Sequence, residues 1–109
     1  MSIEELLDNI NIGLEIKKIR ATSKILAITD KGIKYSLGTS GNSKNISFQE
    51  LKEAINELKV KGSISREWYA KQFPIQSKSA PCNYSTIGGL LMHVSYASYD
   101  KGKYYLKIN

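Results

Sequence analysis

The sequence predicts an α+β protein, with an N-terminal helix and a small antiparallel sheet followed by a three-helix unit and a C-terminal β-hairpin. Three observations carry this reading. Apolar residues recur at spacings of three and four in residues 3–10 and 48–58, they alternate with polar residues between Leu14 and Leu37, and the turn tripeptide Asp-Lys-Gly occurs at both 30–32 and 100–102. A chain of 109 residues with 41% hydrophobic and 24% charged residues fits one globular domain, too short for two independent cores. No apolar run approaches the roughly 18 residues of a membrane span. The opening Met1-Ser2-Ile3-Glu4-Glu5 lacks the basic and then apolar pattern of a signal peptide, so an intracellular, cytoplasmic protein is expected. One cysteine, Cys82, and one histidine, His93, exclude an internal disulfide and leave too few ligands for a zinc site. Neither a metal nor a cofactor is expected.

Each element has a local cause. Ile3, Leu6, Leu7 and Ile10 form one stripe of a short helix, whose Glu4, Glu5 and Asp8 suit the N-terminal dipole and which Gly13 ends. From Leu14 the period becomes two: Leu14, Ile16, Ile19 and Ala21 alternate with Glu15, Lys17 and Arg20, interrupted at Lys18, which reads as a strand with a bulge. Residues 25–29 and 33–37 are two more strands, joined by Asp30-Lys31-Gly32 with the glycine in the left-handed position. Residues 38–45 hold two glycines and five Ser, Thr or Asn residues, a loop composition without the glycine and lysine spacing of a phosphate-binding loop. The single domain therefore reads as a helix-and-sheet lobe at 1–38, a connector at 39–46 and a second lobe at 47–109.

In the second lobe Ser47 and Glu50 form a capping box ahead of Phe48, Leu51, Ala54, Ile55 and Leu58, with Gly62 as the stop. Ser65 begins a shorter helix carrying Trp68, Tyr69 and Phe73, which Pro74 ends. The linker 75–83 contains Pro81 and is not expected to be helical. A third helix is expected from Tyr84 or Ser85 to about Ser95, with Ile87, Leu90, Leu91 and Val94 on one face. Residues 96–99 and 103–108 then pair around Asp100-Lys101-Gly102, the turn chemistry of 30–32 used again.

Sixteen Lys and Arg against ten Asp and Glu give a net charge of +6, which favours polyanionic partners. The surplus lies in two blocks, 14–46 and 63–109, on either side of a balanced helix. Residues 47–108, ordered helix, short extended piece, helix, linker, helix and basic hairpin, resemble the winged helix-turn-helix DNA-binding domains. That resemblance implies a third helix entering the major groove and a hairpin touching the backbone. The linker between the second and third helices, about ten residues, is longer than the usual turn of 3 to 4.

The resemblance implies that Asn83, Tyr84, Ser85 and Thr86, with His93 further along, face the groove, since Asn reads adenine and hydroxyls bond phosphates or base edges. The local alternative makes Asn83 or Ser85 the helix cap. Gly88-Gly89 costs a helix about 1 kcal/mol per residue relative to Ala, so a close neighbour, the first helix or a DNA backbone, is expected there. In the hairpin, alternation places Lys103, Tyr105 and Lys107 on one face and Tyr104, Leu106 and Ile108 on the other, with Lys101 at the turn. These cations suit a phosphate backbone or, equally, protect a sheet edge. No Asp or Asn signal accompanies Cys82 and His93, and Glu50, Glu53 and Glu57 lie among lysines, so no enzyme is expected.

The expected function is DNA binding. The alternative is a protein-interaction module, an accessory or inhibitor subunit, that docks through Trp68 and Tyr69. Residues 32–58 are similar to small domains attached to restriction-type enzymes, which implies an accessory place in a restriction or mobile-element system.

Overall fold

Alternating burial folds the first third of the chain into a sheet. A computed structural model describes residues 1–18, 21–38 and 41–107. After helix α1 (Ile3–Asp8), capped by the Ser2 hydroxyl on the Glu5 amide, come strands β1 (Glu15–Lys17), β2 (Thr22–Ile28), β3 (Gly32–Ser36) and β4 (Ser43–Ser47). They form one antiparallel meander in the order β1-β2-β3-β4, with Ile16, Ile25, Ile33, Tyr35 and Ile46 turned inward. The expected single strand from Leu14 to Ala21 is instead a hairpin, because the Lys18 amide donates to the Ala21 carbonyl and reverses the chain. Ile19 and Arg20 lie outside the described residues. The bulge sits in β2, where the register with β3 shifts between Ile25 and Ala27.

The expected connector is half strand. Ser43–Ser47 pairs with β3 along its whole length, and the Ser47 cap passes directly into helix α2 (Phe48–Lys61). The two expected lobes thus share a strand boundary and one apolar cluster, drawn from α1, the sheet and the later helices together.

The capping box is present in full, and Gly62 ends α2 at φ 87°, the left-handed conformation only glycine takes cheaply. Strand β5 (Ser63–Ile64) leads to α3 (Arg66–Gln72), capped by Ser65. The linker is largely helical: α4 (Pro74–Ser79) begins on Pro74, whose fixed φ suits a first helical position. Helix α5 (Cys82–His93) starts at Cys82, two residues before the earlier expected start, with Pro81 at the cap position, so neither Asn83 nor Ser85 is its cap. Strands β6 (Ala97–Asp100) and β7 (Lys103–Leu106) close a second sheet in the order β5-β7-β6. Among the described residues no helix is long and apolar enough to cross a membrane.

Helix α5 is the centre of the molecule, packed between the two sheets. A Cβ at Gly88 would fall inside the ring of Tyr104, and one at Gly89 would crowd the Ile16 side chain. The close neighbour is therefore an aromatic ring from the hairpin on one side and β1 on the other, rather than α1 or a foreign backbone.

The two Asp-Lys-Gly turns also differ. Lys101 and Gly102 both have positive φ, as a two-residue hairpin turn requires. Gly32 does not; it opens β3 where a Cβ would collide with the Ile46 carbonyl of β4. Gly32→Ala should accordingly push β3 from β4 and cost about 3 kcal/mol in urea unfolding. The cost is expected although Ala suits a strand backbone better than Gly.

Candidate nucleic-acid interface

The capping box carries a carboxylate into the interior. Glu50 Oε2 accepts from the Ser47 amide (2.8 Å) and the Ser47 hydroxyl (3.0 Å), while Oε1 accepts from the Tyr69 hydroxyl and from Asn83 Nδ2 (3.2 Å). Asn83 Nδ2 also reaches the Asn45 carbonyl (2.9 Å), and its Oδ1 accepts from the Tyr35 hydroxyl, which lies against Cys82 Sγ as well. Residues of β3, β4, α2, α3 and α5 are thereby joined through two buried side chains, Glu50 and Asn83.

This geometry decides the sequence-predicted groove readers. Asn83 and Thr86 have no exposed surface and Tyr84 has 2%. Their polar atoms are bonded within the chain: Thr86 Oγ1 donates to the Cys82 carbonyl and accepts from Lys18 Nζ (2.9 Å), and the Tyr84 hydroxyl lies at 3.1 Å from the Ile64 carbonyl and 3.0 Å from that of Gly102. These three residues hold α5 in place and cannot meet a DNA groove. Ser85 is half-buried with its hydroxyl on the Cys82 carbonyl, and His93 is exposed about 12 Å further along the helix axis. Cys82 and His93 stand at opposite ends of α5, so they form no nucleophile pair.

The hairpin residues stand as alternation places them. Lys103, Tyr105 and Lys107 are exposed on the outer face, Tyr104 is buried and Leu106 half-buried on the inner one, and Lys101 is exposed at the turn. Ile108 lies outside the described residues. Of the docking pair, Tyr69 is buried with its hydroxyl on Glu50, which removes it from any partner surface. Trp68 is half-buried, 6.4 Å from Tyr69 and 6.3 Å from Phe73 between ring centroids.

Beside the inner face of the hairpin lies a groove of about 630 Å³, which sequence reasoning missed as a site. Its lining includes Lys18, Arg66, Cys82, Tyr84, Tyr99 and Tyr104, and no carboxylate. A recess of about 160 Å³ continues past Lys17 and Met92. The rings are set edge to face, Tyr104 being 5.4 Å from Tyr84 and 5.2 Å from Tyr99 between centroids. The Arg66 guanidinium sits 5.0 Å from the Tyr84 ring centre and Lys18 Nζ 5.4 Å from that of Tyr35. Burial draws the Lys18 ammonium below the ordinary lysine range. The charge block around Lys17 and Lys18 was the signal available in the sequence; its union with Arg66 and the hairpin depends on how the two sheets flank α5.

Among the described residues no group of three or more His, Cys, Asp or Glu side chains is placed to hold a metal ion. No family model, curated protein or solved structure matches the chain.

Two outcomes follow from the buried groups. Asn83→Ala leaves Glu50 and Tyr35 short of partners and should cost about 2–4 kcal/mol of stability, measured by urea unfolding. Ser85→Ala should cost far less. Burial, first among the causes, raises the phenol of Tyr35, Tyr69, Tyr84 and Tyr104, with added contributions from Cys82 at Tyr35 and from Glu50 at Tyr69. The folded state keeps these protons where the unfolded chain releases them. Stability is therefore full below the ordinary tyrosine pKa of about 10 and falls as pH rises through and beyond it, which urea midpoints across that range will register.

Proposed function

We propose that this chain is a DNA-binding protein that holds the strand backbone through its C-terminal hairpin and the neighbouring groove, without reading bases through α5. The observation that carries the reading is the carboxylate-free groove, where Lys18 and Arg66 stand beside three tyrosine rings. Lys101 at the hairpin turn and Lys103, Tyr105 and Lys107 on its outer face add a second cationic surface, with Asp100 opposite Lys103 as a local counterweight. The net charge of +6 supports association with a polyanion.

The order from α2 through the β6–β7 hairpin, with β5 paired to β7, supports a winged-helix-like arrangement. It departs from the implied mode of action in one respect. The helix that would enter a major groove is core here, flanked by the N-terminal sheet and the Tyr104 ring. Contacts to the phosphate backbone carry no sequence information directly, so the reading is of sequence-tolerant binding. A binding role, with no catalytic step, suits a site whose residues are cations and phenols.

Fluorescence anisotropy with labelled duplex and single-stranded DNA tests this. Affinity should fall steeply with salt, and the Lys101→Gln, Lys103→Gln double variant should weaken binding equally for all sequences and flatten the salt slope by about one unit per lysine. Absence of any binding at about 50 mM salt would overturn the reading.

A further inference from the structure

The groove and the outer face of the hairpin are separate surfaces. Tyr99 and Tyr104 are directly paired across β6 and β7 and so share the inner side, while Lys103 and Tyr105 point outward. A phosphate backbone lying on the hairpin alone has no use for a recess lined with rings.

The groove brings together the two chemistries of a nucleotide. Its cations are held by neutral acceptors: Lys18 Nζ donates to Thr86 Oγ1, and Arg66 Nη1 donates to the Pro81 carbonyl at 3.1 Å. Among the described residues neither is paired with a carboxylate, and each has donors to spare, since an ammonium carries three and a guanidinium five. Its rings differ in exposure. Tyr84 and Tyr104 are buried, whereas Tyr99 is 38% exposed at the rim, the one ring with surface left to stack on. The volume of about 630 Å³ lies within the roughly 300–1,000 Å³ of small-ligand sites, enough for one base with its sugar and phosphate. A base in a duplex is stacked on both faces and enters such a recess only after unstacking, at a cost of a few kcal/mol. A single strand offers the base without that cost.

We propose that the groove takes one unstacked nucleotide of a DNA single strand, the base stacking on Tyr99 and the phosphate meeting Lys18 and Arg66. The assignment rests on the DNA-binding reading above and adds the strand state and the stacking residue. Base-on-aromatic stacking is sequence-tolerant, in keeping with a protein that presents no reading helix.

The test compares an oligothymidylate of about ten nucleotides, its duplex with oligodeoxyadenylate, and thymidine monophosphate. Each is titrated against the wild-type chain and against Tyr99→Ala, Tyr99→Phe, Arg66→Gln and the hairpin double variant. The expected result is tighter binding of the single strand than of the duplex, a loss of about tenfold or more with Tyr99→Ala, recovery with Tyr99→Phe, and a comparable loss with Arg66→Gln. Thermal melting of each variant confirms folding, and the Phe variant keeps the ring contact with Tyr104 if the Ala variant does not fold. Strand binding that survives Tyr99→Ala and Arg66→Gln but is lost in the hairpin variant overturns the groove assignment and leaves DNA binding standing. Monophosphate binding as tight as that of the strand, through the same residues, assigns the groove to a free nucleotide and overturns the strand. Failure to bind any DNA removes the functional reading itself.

Discussion

A single buried carboxylate organises this molecule. Glu50 receives four hydrogen bonds, from the Ser47 amide and hydroxyl on one oxygen and from Tyr69 and Asn83 on the other, which fills the lone-pair directions a carboxylate offers. Taking such a group out of water costs several kcal/mol, and only a complete set of donors offsets the cost. Because hydrogen bonds are directional where apolar packing is not, satisfying Glu50 fixes where α3 and α5 stand relative to α2. Asn83 then passes the constraint on to Tyr35 and to the Asn45 carbonyl, so that the N-terminal sheet is docked by the same set of bonds.

Helix α5 sits at the meeting point of these constraints, and its two central glycines let it do so. Each sacrifices about 1 kcal/mol of helix propensity relative to alanine. In return a tyrosine ring of one sheet and an isoleucine of the other lie directly on the helix backbone. The groove is a by-product of that arrangement. It runs where the two sheets flank the N-terminal half of α5, and for this reason its side chains come from segments as distant in sequence as Lys18, Arg66 and Tyr104.

The parts of the fold governed by neighbouring residues were legible in the sequence. The Ser47 box, the Ser65 cap, the Gly62 stop and the two-faced hairpin each depend on contacts a few residues apart, and each stands as read. Strand β4 was hidden because Ile46 is its single apolar residue, so no alternation marked it, and it is held by pairing with β3. Gly32 departs from the turn role its tripeptide suggests because identical tripeptides serve two causes, a positive φ at Gly102 and a crowded backbone at Gly32. Asn83 and Thr86 are polar, which alone suggests an outward position. Yet they lie at i, i+3, i+4 and i+7 with Ile87 and Leu90, and extending the apolar stripe backward would have turned both inward. Long-range packing, by contrast, leaves no local trace, and of the groove only the charge block around Lys17 and Lys18 is marked in the sequence.

The position of Lys18 joins the fold to the proposed function. Packing against Thr86 and over Tyr35 draws its ammonium partly out of water, and burial disfavours the charged form, opposed only by the thiol of Cys82 nearby. Among the described residues the one ion pair is Lys71 with Glu67 on the exposed face of α3, so neither Lys18 nor Arg66 is neutralised by a carboxylate. The free protein thus carries a desolvation cost at Lys18 that, among the described residues, no carboxylate offsets. An anion entering the groove supplies the missing charge, and the cost already met in folding need not be met again on binding. The network centred on Glu50 that makes α5 unfit to read a DNA groove also fixes the helix on which Lys18 rests, and so the place of the proposed phosphate contact.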